Sequence, residues 1–401
     1  MKILFAAMGQ SVHSARWINQ ISNEGWDIHL FDFLEASVCP EMPAITTYTV
    51  HPAPTVLCDK VRSHNTYPFR RGAGFTKRYS PKFIQSFFFG SRVRKFAEVY
   101  RRIRPDIVHS LEMQNESYPL LDVKQILGDE FSVPWIYSSW GSDIYYYRTK
   151  PEHRGRIRGV LEACDFHLAD CARDIDLARQ FGFKGEALGI FPTAGSFDVG
   201  WAREFITVDR PSERKSIALK GYQHEHGRGL TALEALRSGV ADLKGYTLEV
   251  YLPVPSVEES ARELALTAGI ELKIWKQTLN LEILKLFGRS RIGFALSISD
   301  GTPNTMLEAM MMGAFPVQSD TVSTAEWIED GVNGLLVPPE DPIAAGKAIL
   351  RALSDDTLVD SAAQINKELM LSRVDTAVNR PKIIELYKKV YAEQIDRKKM
   401  N

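Results

Sequence analysis

The chain has 401 residues, 44% of them hydrophobic and 25% charged, an ordinary globular composition that is too long for one core, so two domains are expected. Its formal net charge of −1 offers no global attraction for nucleic acid or another acidic polymer. The four cysteines, Cys39, Cys58, Cys164 and Cys171, form no C-x-x-C pair and no zinc spacing with the nine histidines, which speaks for a reducing compartment and against a disulfide framework.

The first element is an apolar run over 3–7 that stops at Met8-Gly9-Gln10. It is too short for the apolar part of a signal peptide and is expected to be a buried strand. A turn at Gly9-Gln10-Ser11 leads into a helical period through Trp17, Ile18 and Ile21 that ends at Gly25, and a second strand is expected over 28–31. This strand–helix–strand unit is the building block of a parallel sheet. The loop lacks the glycines of G-x-G-x-x-G, so Asp32 is no sign of NAD. Further strands are expected over 107–109 and 135–138.

Between them, residues 60–104 carry thirteen lysines and arginines against Glu98 alone, interleaved with aromatics that include Phe87, Phe88 and Phe89. Two readings stand open: an anionic membrane surface, or core phenylalanines beneath a solvated basic face. Asp174-Ile175-Asp176 matches a D-x-D metal pattern but lies in a helical stretch. It is read as a solvated helix face.

The same grammar restarts after about residue 200. Strands are expected over 216–219, 248–252, 272–275, 292–296, 315–317 and 335–337, separated by helical periods. The predicted architecture is α/β: two Rossmann-like, doubly wound parallel-sheet domains facing a cleft. Their predicted limits are 1–200 and 201–373, with a C-terminal amphipathic helix over 374–401 packing back across them. No run of eighteen apolar residues occurs, so no membrane span is expected.

The most informative segment is 297–313, SISDGTPNTMLEAMMMG. A strand ends before it, Asp300 and Gly301 lie in the loop, Thr302-Pro303 is expected to cap a helix, and Gly313 ends that helix. Backbone N–H groups from Gly301 through Asn304 to Thr305, together with the helix dipole, suit a diphosphate. Asp300 and Glu308 would repel phosphate, and make sense as acceptors for the hydroxyls of a sugar and a ribose. His109, at the end of a strand, and His13, in the first loop, are each open between a structural and a site role.

A carboxylate, seven residues, Glu308, then Ala309-Met310 and the Gly313-x-x-Pro316-Val317 strand resemble the donor-site signature of retaining glycosyltransferases of family four (the glycosyltransferase group 1 type), which have the GT-B fold. Ser323-Thr324-Ala325-Glu326 and the stretch to Val337 resemble the segment that follows it, and 11–25 resembles the family's first loop and helix. The resemblance implies that Glu308 binds the ribose and Asp300 the donor sugar, where the family normally has Glu. It also implies an Arg and a Lys in the loop 220–229. Arg228 stands for the lysine, one residue displaced, and Tyr222 falls where the arginine belongs, so Lys220 or Arg228 supplies both charges. His224 and His226 are read as plain loop histidines. Ser138 to Asp143 resembles the family's His-Gly-x-Asp-like turn, with Trp140 for the histidine and Asp143 open between site residue and turn cap. Gly9, His13, Trp140 and Asp143 form the expected acceptor side; Asp300, Arg228, Lys220 and His109 are the catalytic candidates.

The expected activity is therefore transfer of a sugar from a nucleotide diphosphate sugar to an acceptor hydroxyl with retention, without metal or cofactor. The acceptor would be a saccharide or a lipid-linked saccharide in polysaccharide or glycolipid assembly. The setting would be cytoplasmic, with peripheral membrane contact if the basic segment serves that end. A GT-B epimerase or phosphorylase, or a non-catalytic nucleotide-sugar binder, remains the alternative.

Overall fold

The computed structural model describes residues 1–34, 38–49, 62–65, 82–276 and 278–400; side chains are not described for 49, 62–65, 82–91, 240 and 397–400. The chain divides into two compact units, one made of Met1–Ser196 with Asn379–Asn401 and the other of Phe197–Val378.

The first unit holds eight strands: β1 (Lys2–Ala6), β2 (Asp27–Phe31), β3 (Thr46–Thr49), β4 (Arg62–Asn65), β5 (Ile107–Leu111), β6 (Trp135–Ser138), β7 (Phe166–Ala169) and β8 (Glu186–Ile190). They form one sheet in the order β4-β3-β2-β1-β5-β6-β7-β8, parallel throughout. The central strands are buried on both faces, as their mostly apolar sequences require, with His109, Ser110, Ser138 and His167 as polar exceptions. The second unit repeats the plan with six strands: β9 (Ser216–Lys220), β10 (Thr247–Tyr251), β11 (Glu271–Trp275), β12 (Ile292–Ala295), β13 (Phe315–Ser319) and β14 (Leu335–Val337). Their order is β11-β10-β9-β12-β13-β14, again parallel. Both units are Rossmann-like. In each, strand order reverses beside the first strand, between β1 and β5 and between β9 and β12. Loops leaving those strands diverge there and open a crevice at the carboxyl edge of the sheet.

The helix Thr376–Met400 places Ile383, Leu386, Tyr387 and Val390 in the core of the first unit, beside Ile3, Phe5, Trp17 and Ile107. Tyr387 is the polar pin of that contact. Its hydroxyl accepts from Trp17 Nε1 at 2.9 Å and meets His109 Nδ1 at 2.6 Å, while His109 Nε2 meets Ser138 Oγ at 2.8 Å. His109 is fully buried, and burial pushes its pKa down to about 3. The expectation of a chemical role for His109 is corrected here: both ring nitrogens are occupied, and the neutral ring fastens the C-terminal helix to β5 and β6.

The basic segment falls partly outside the described residues. Lys60, Arg70, Arg71, Lys77 and Arg78 lie there, and the side chains of Phe87, Phe88 and Phe89 are not described. In the described part of the helix Lys82–Ile103, Val93, Phe96 and Tyr100 are core, Lys95 is buried against Glu98, and Arg94, Arg101 and Arg102 are exposed. That stretch is an amphipathic helix with its aromatics inside. Among the described residues no helix is long and apolar enough to cross a membrane.

Replacing Tyr387 with Phe keeps the ring but leaves Trp17 Nε1 and His109 Nδ1 without a partner. Tyr387→Phe is expected to destabilise the first unit by about 1–3 kcal/mol, read as a lower midpoint for its transition in chemical denaturation.

Candidate functional site

At the crevice edge of the second unit, two loops are laced together. The loop after β9 runs along the segment after β12: Arg228 N–H donates to Leu296 O at 2.9 Å, Ile298 N–H donates to His226 O at 3.0 Å, and Gly227 bridges Ser297. This fit is why the loop is rich in glycine. A Cβ on Gly221 would stand 2.5 Å from Pro253 Cα, and one on Gly227 would stand 2.7 Å from Tyr222 O. Neither backbone neighbour can move aside without breaking the lacing.

Three predicted donor-side residues, Lys220, Arg228 and Asp300, meet around this seam. Lys220, at the end of β9, holds its ammonium 4.7 Å from the centre of the Tyr222 ring, and among the described residues it has no carboxylate partner. Arg228 donates from Nε to Glu340 at 2.9 Å and from Nη1 to the carbonyls of His224, Glu225, His226 and Gly227 at 3.1–3.4 Å. Its guanidinium thus frames the loop with its charge shared by Glu340. His224 feels Lys220, Arg228, Glu225 and Asp300 electrostatically, which places all of them in one neighbourhood.

Asp300 and Gly301 form the turn beyond β12. Asp300 Oδ1 accepts from Gly301 N–H at 3.1 Å, and the buried Ser323 hydroxyl donates to Gly301 O at 2.7 Å and to Asp300 O at 3.1 Å. The following helix is Asn304–Met311, with Pro303 in the cap position and no side-chain cap. The expected capping by Thr302 is thus replaced by another bond: buried Thr302 accepts from Trp327 Nε1 at 3.0 Å, so its hydroxyl braces the next segment. Thr305, in the first turn, lies by the Tyr251 hydroxyl. Glu308 is buried at 5% exposure and accepts from Asn280 Nδ2 at 2.7 Å. Its charge, with burial as the larger cause, drives the Tyr251 hydroxyl well above the usual phenol range. Tyr251 and Asn280 were not legible beside Glu308, because each stands at the end of an element whose own sequence gives no sign of the carboxylate it meets. The backbone carbonyl of Glu326 accepts from Arg373 Nη1 at 2.6 Å, and Arg373 stacks 3.7 Å over Trp327.

The crevice edge of the first unit gathers the expected acceptor side. His13 and Trp140 meet edge to face at 5.8 Å. Gly9 N–H donates to Asp32 Oδ2 at 3.1 Å, and buried Asp143 accepts from Trp140 N–H at 2.9 Å and from Tyr137 Oη at 3.1 Å. Asp143 is therefore a turn brace under Trp140. Nearby, Glu112 holds an unusual backbone (φ 84°, ψ 151°) at the head of the π-helical turn Met113–Ser117, its carboxylate accepting from the N–H groups of Gln114 and Asn115 at 2.8 and 2.6 Å. Burial pushes its pKa up to about 7. Fully buried Glu116, beside Asp32 and Glu112, is driven well up by the same cause.

The reading of Asp174 as solvated is corrected: it is fully buried and paired with Arg173 Nε at 2.8 Å, while Asp176 is the exposed member of the pair. Two residues apart on a helix is more than half a turn, so one carboxylate faces in and the other out. Asp170, Cys171 and Asp174 offer grouped ligand atoms. Burial keeps the Cys171 thiol protonated and Arg173 already engages Asp174, which is a poor donor set for a cation.

Residues 2–165 match the family model described as Glycosyl transferase 4-like, and residues 252–355 match the model described as Glycosyl transferases group 1. No curated protein sequence matches the chain. Among solved structures it is similar to sucrose-phosphate synthase from Thermosynechococcus elongatus, with 14% identity and a TM-score of 0.70 over 98% of this chain and 100% of that one. It is also similar to Anabaena HepE in complex with UDP and glucose (14%, 0.65, 97% and 100%) and to the lipopolysaccharide outer core galactosyltransferase WaaB (15%, 0.63, 99% and 100%). The architecture is the two-domain GT-B fold. With a glycosyltransferase model matched in each unit, the chain belongs to the GT-B glycosyltransferases.

A carboxyl group whose pKa is higher folded than unfolded binds its proton more tightly in the native state, so stability is greatest at low pH and falls as pH rises through the folded value. Glu112, raised from 4.5 to about 7, contributes such a loss between about pH 4.5 and pH 7. The thermal midpoint of the first unit is expected to drop over that window, and less steeply in Glu112→Gln.

Proposed function

We propose that this protein transfers a sugar, with retention, from a nucleotide diphosphate sugar held by the second unit to a hydroxyl of a saccharide or lipid-linked saccharide. The observation that carries the proposal is that Lys220, an ammonium with no carboxylate partner among the described residues, pairs in register with Tyr251, the residue on which the buried hydroxyl acceptor Glu308 acts. A nucleotide diphosphate sugar has both complements: an anionic diphosphate and a diol-bearing ribose. HepE, of the same fold, was solved with UDP and glucose, and that precedent supports the donor class.

In the reaction the acceptor oxygen bonds to the anomeric carbon as the bond from that carbon to the diphosphate oxygen breaks. The diphosphate leaves with the electron pair and takes up the proton of the acceptor hydroxyl. Positive charge grows on the sugar and negative charge on the leaving group. Lys220, the guanidinium of Arg228 and the N–H groups at the head of the helix Asn304–Met311 meet that negative charge with groups already fixed in place. Glu308 holds the ribose, Asp300 the sugar hydroxyls, and Gly301, Thr302, Asn304 and Thr305 shape the turn between them. Asp300, one methylene shorter than the family's usual Glu, bears on which sugar is accepted. Gly9, His13 and Trp140 line the acceptor side.

Titration calorimetry with UDP, GDP and ADP tests the donor half: one of them is expected to bind, and Glu308→Ala to weaken it at least tenfold. Unchanged affinity in a folded variant overturns the ribose assignment. Because Lys220 and Arg228 supply the cationic charge, turnover is expected to persist in EDTA; loss restored by magnesium or manganese would reverse that view. Retention is read from the anomeric configuration of the product by NMR.

A further inference from the structure

Beside Lys220 and Arg228 stands a third group with a fixed polarity. His224 accepts at Nδ1 from the backbone N–H of His226 at 3.1 Å and more loosely from that of Gly227 at 3.4 Å. A nitrogen that accepts carries no proton, so the neutral ring bears its hydrogen on Nε2. The residue is exposed on the seam, its ring 5.4 Å from Tyr222 and 5.8 Å from His226. The charged and titratable groups around it are Lys220 at the end of β9, Tyr222, Glu225, His226 and Arg228 in its own loop, and Asp300 from the loop after β12. Protonating Nδ1 would set a new N–H against the donors that point at it, with two cations close by.

Resting on the donor reading above, we infer that His224 binds an oxygen of the donor's diphosphate through Nε2–H, as a neutral donor. Lys220, which among the described residues has no carboxylate partner, supplies positive charge, and Arg228 adds to it while framing the loop. The arrangement accounts for Tyr222 at the place of an expected arginine. The second hydrogen-bond donor to the diphosphate comes from two residues further along, on a ring that the loop's own N–H groups hold in one tautomer. Desolvation by burial, then Lys220 and Arg228, move the imidazole below its ordinary range, in keeping with a ring that stays neutral beside an anion at physiological pH.

Three substitutions separate this role from simple bracing of the loop. Asn at 224 can still accept from the His226 N–H but ends short of Nε2; Gln places an amide N–H near the Nε2 position and gives up the short-range acceptor; Ala does neither. The probes are UDP-glucose, GDP-mannose and ADP-glucose, whose diphosphate diesters do not titrate near neutral pH, with affinities read by calorimetry. His224→Ala and His224→Asn are expected to weaken the bound sugar nucleotide about tenfold or more, His224→Gln to stay within about threefold of wild type, and His226→Ala to change nothing. Runs at pH 6.5 in buffers of different ionisation enthalpy are expected to show no proton taken up on binding. If Asn preserves affinity while Gln loses it, or if Ala binds as wild type does, His224 only braces the loop and the inference falls alone. Proton uptake that disappears in His224→Gln overturns the neutral-donor assignment. Should wild-type protein bind none of the three probes, the donor reading falls and takes this inference with it.

Discussion

The candidate site depends on a short stretch of backbone pairing, in which the loop 222–228 lies along residues 296–298. Neither segment is a strand of the sheet, yet each satisfies polar backbone groups of the other, as any segment removed from water must. The pairing sets Lys220, His224 and Arg228, from one side of the sheet's reversal point, next to Asp300 from the other. Arg228 reinforces it by drawing four carbonyls of its own loop around one guanidinium. On the far side of Asp300, Ser323 holds the turn from below through two carbonyls. The turn is thus fixed by backbone contacts on both flanks, which leaves the side chains of the loop available for recognition.

The two crevice edges differ in electrostatic character. In the second unit the carboxylates are few and spaced, and cations sit beside them. At the first unit's rim the carboxyl groups are buried together: after burial itself, Asp32 and Glu112 raise the proton affinity of Glu116, and Glu112 raises that of Asp143. Such groups are tolerated because backbone N–H groups converge on them, at Glu112 and Asp143 above all.

Much of this was legible in the sequence, and the remainder was not for identifiable reasons. The central strands announced themselves because strands covered on both faces are built mostly from apolar residues. Edge strands obey no such rule: β4 reads RSHN and β8 reads EALGI, and neither stands out from a loop. Asp300 and Glu308 were visible because a carboxylate beside an anion-binding helix start needs a reason. His109 misled, since a histidine at a strand end looks the same whether its partner is a ligand or a tyrosine 278 positions away. His224 was passed over because its significance lies in which nitrogen accepts, a property of the folded loop.

The topology of the first unit constrains how the protein is made. Its chain is interrupted after Ser196 and resumes at Asn379, and the ends of the intervening piece are tied together where Phe197 exchanges backbone hydrogen bonds with Val374 and Thr376. During synthesis the second unit is therefore finished before the first. Trp17 and His109 leave the ribosome hundreds of residues before Tyr387, and until that residue emerges an apolar groove with unsatisfied polar atoms stands open along β1 and β5. The nascent first half waits with that groove uncovered, while the inserted half can close on itself as soon as its last helix is translated.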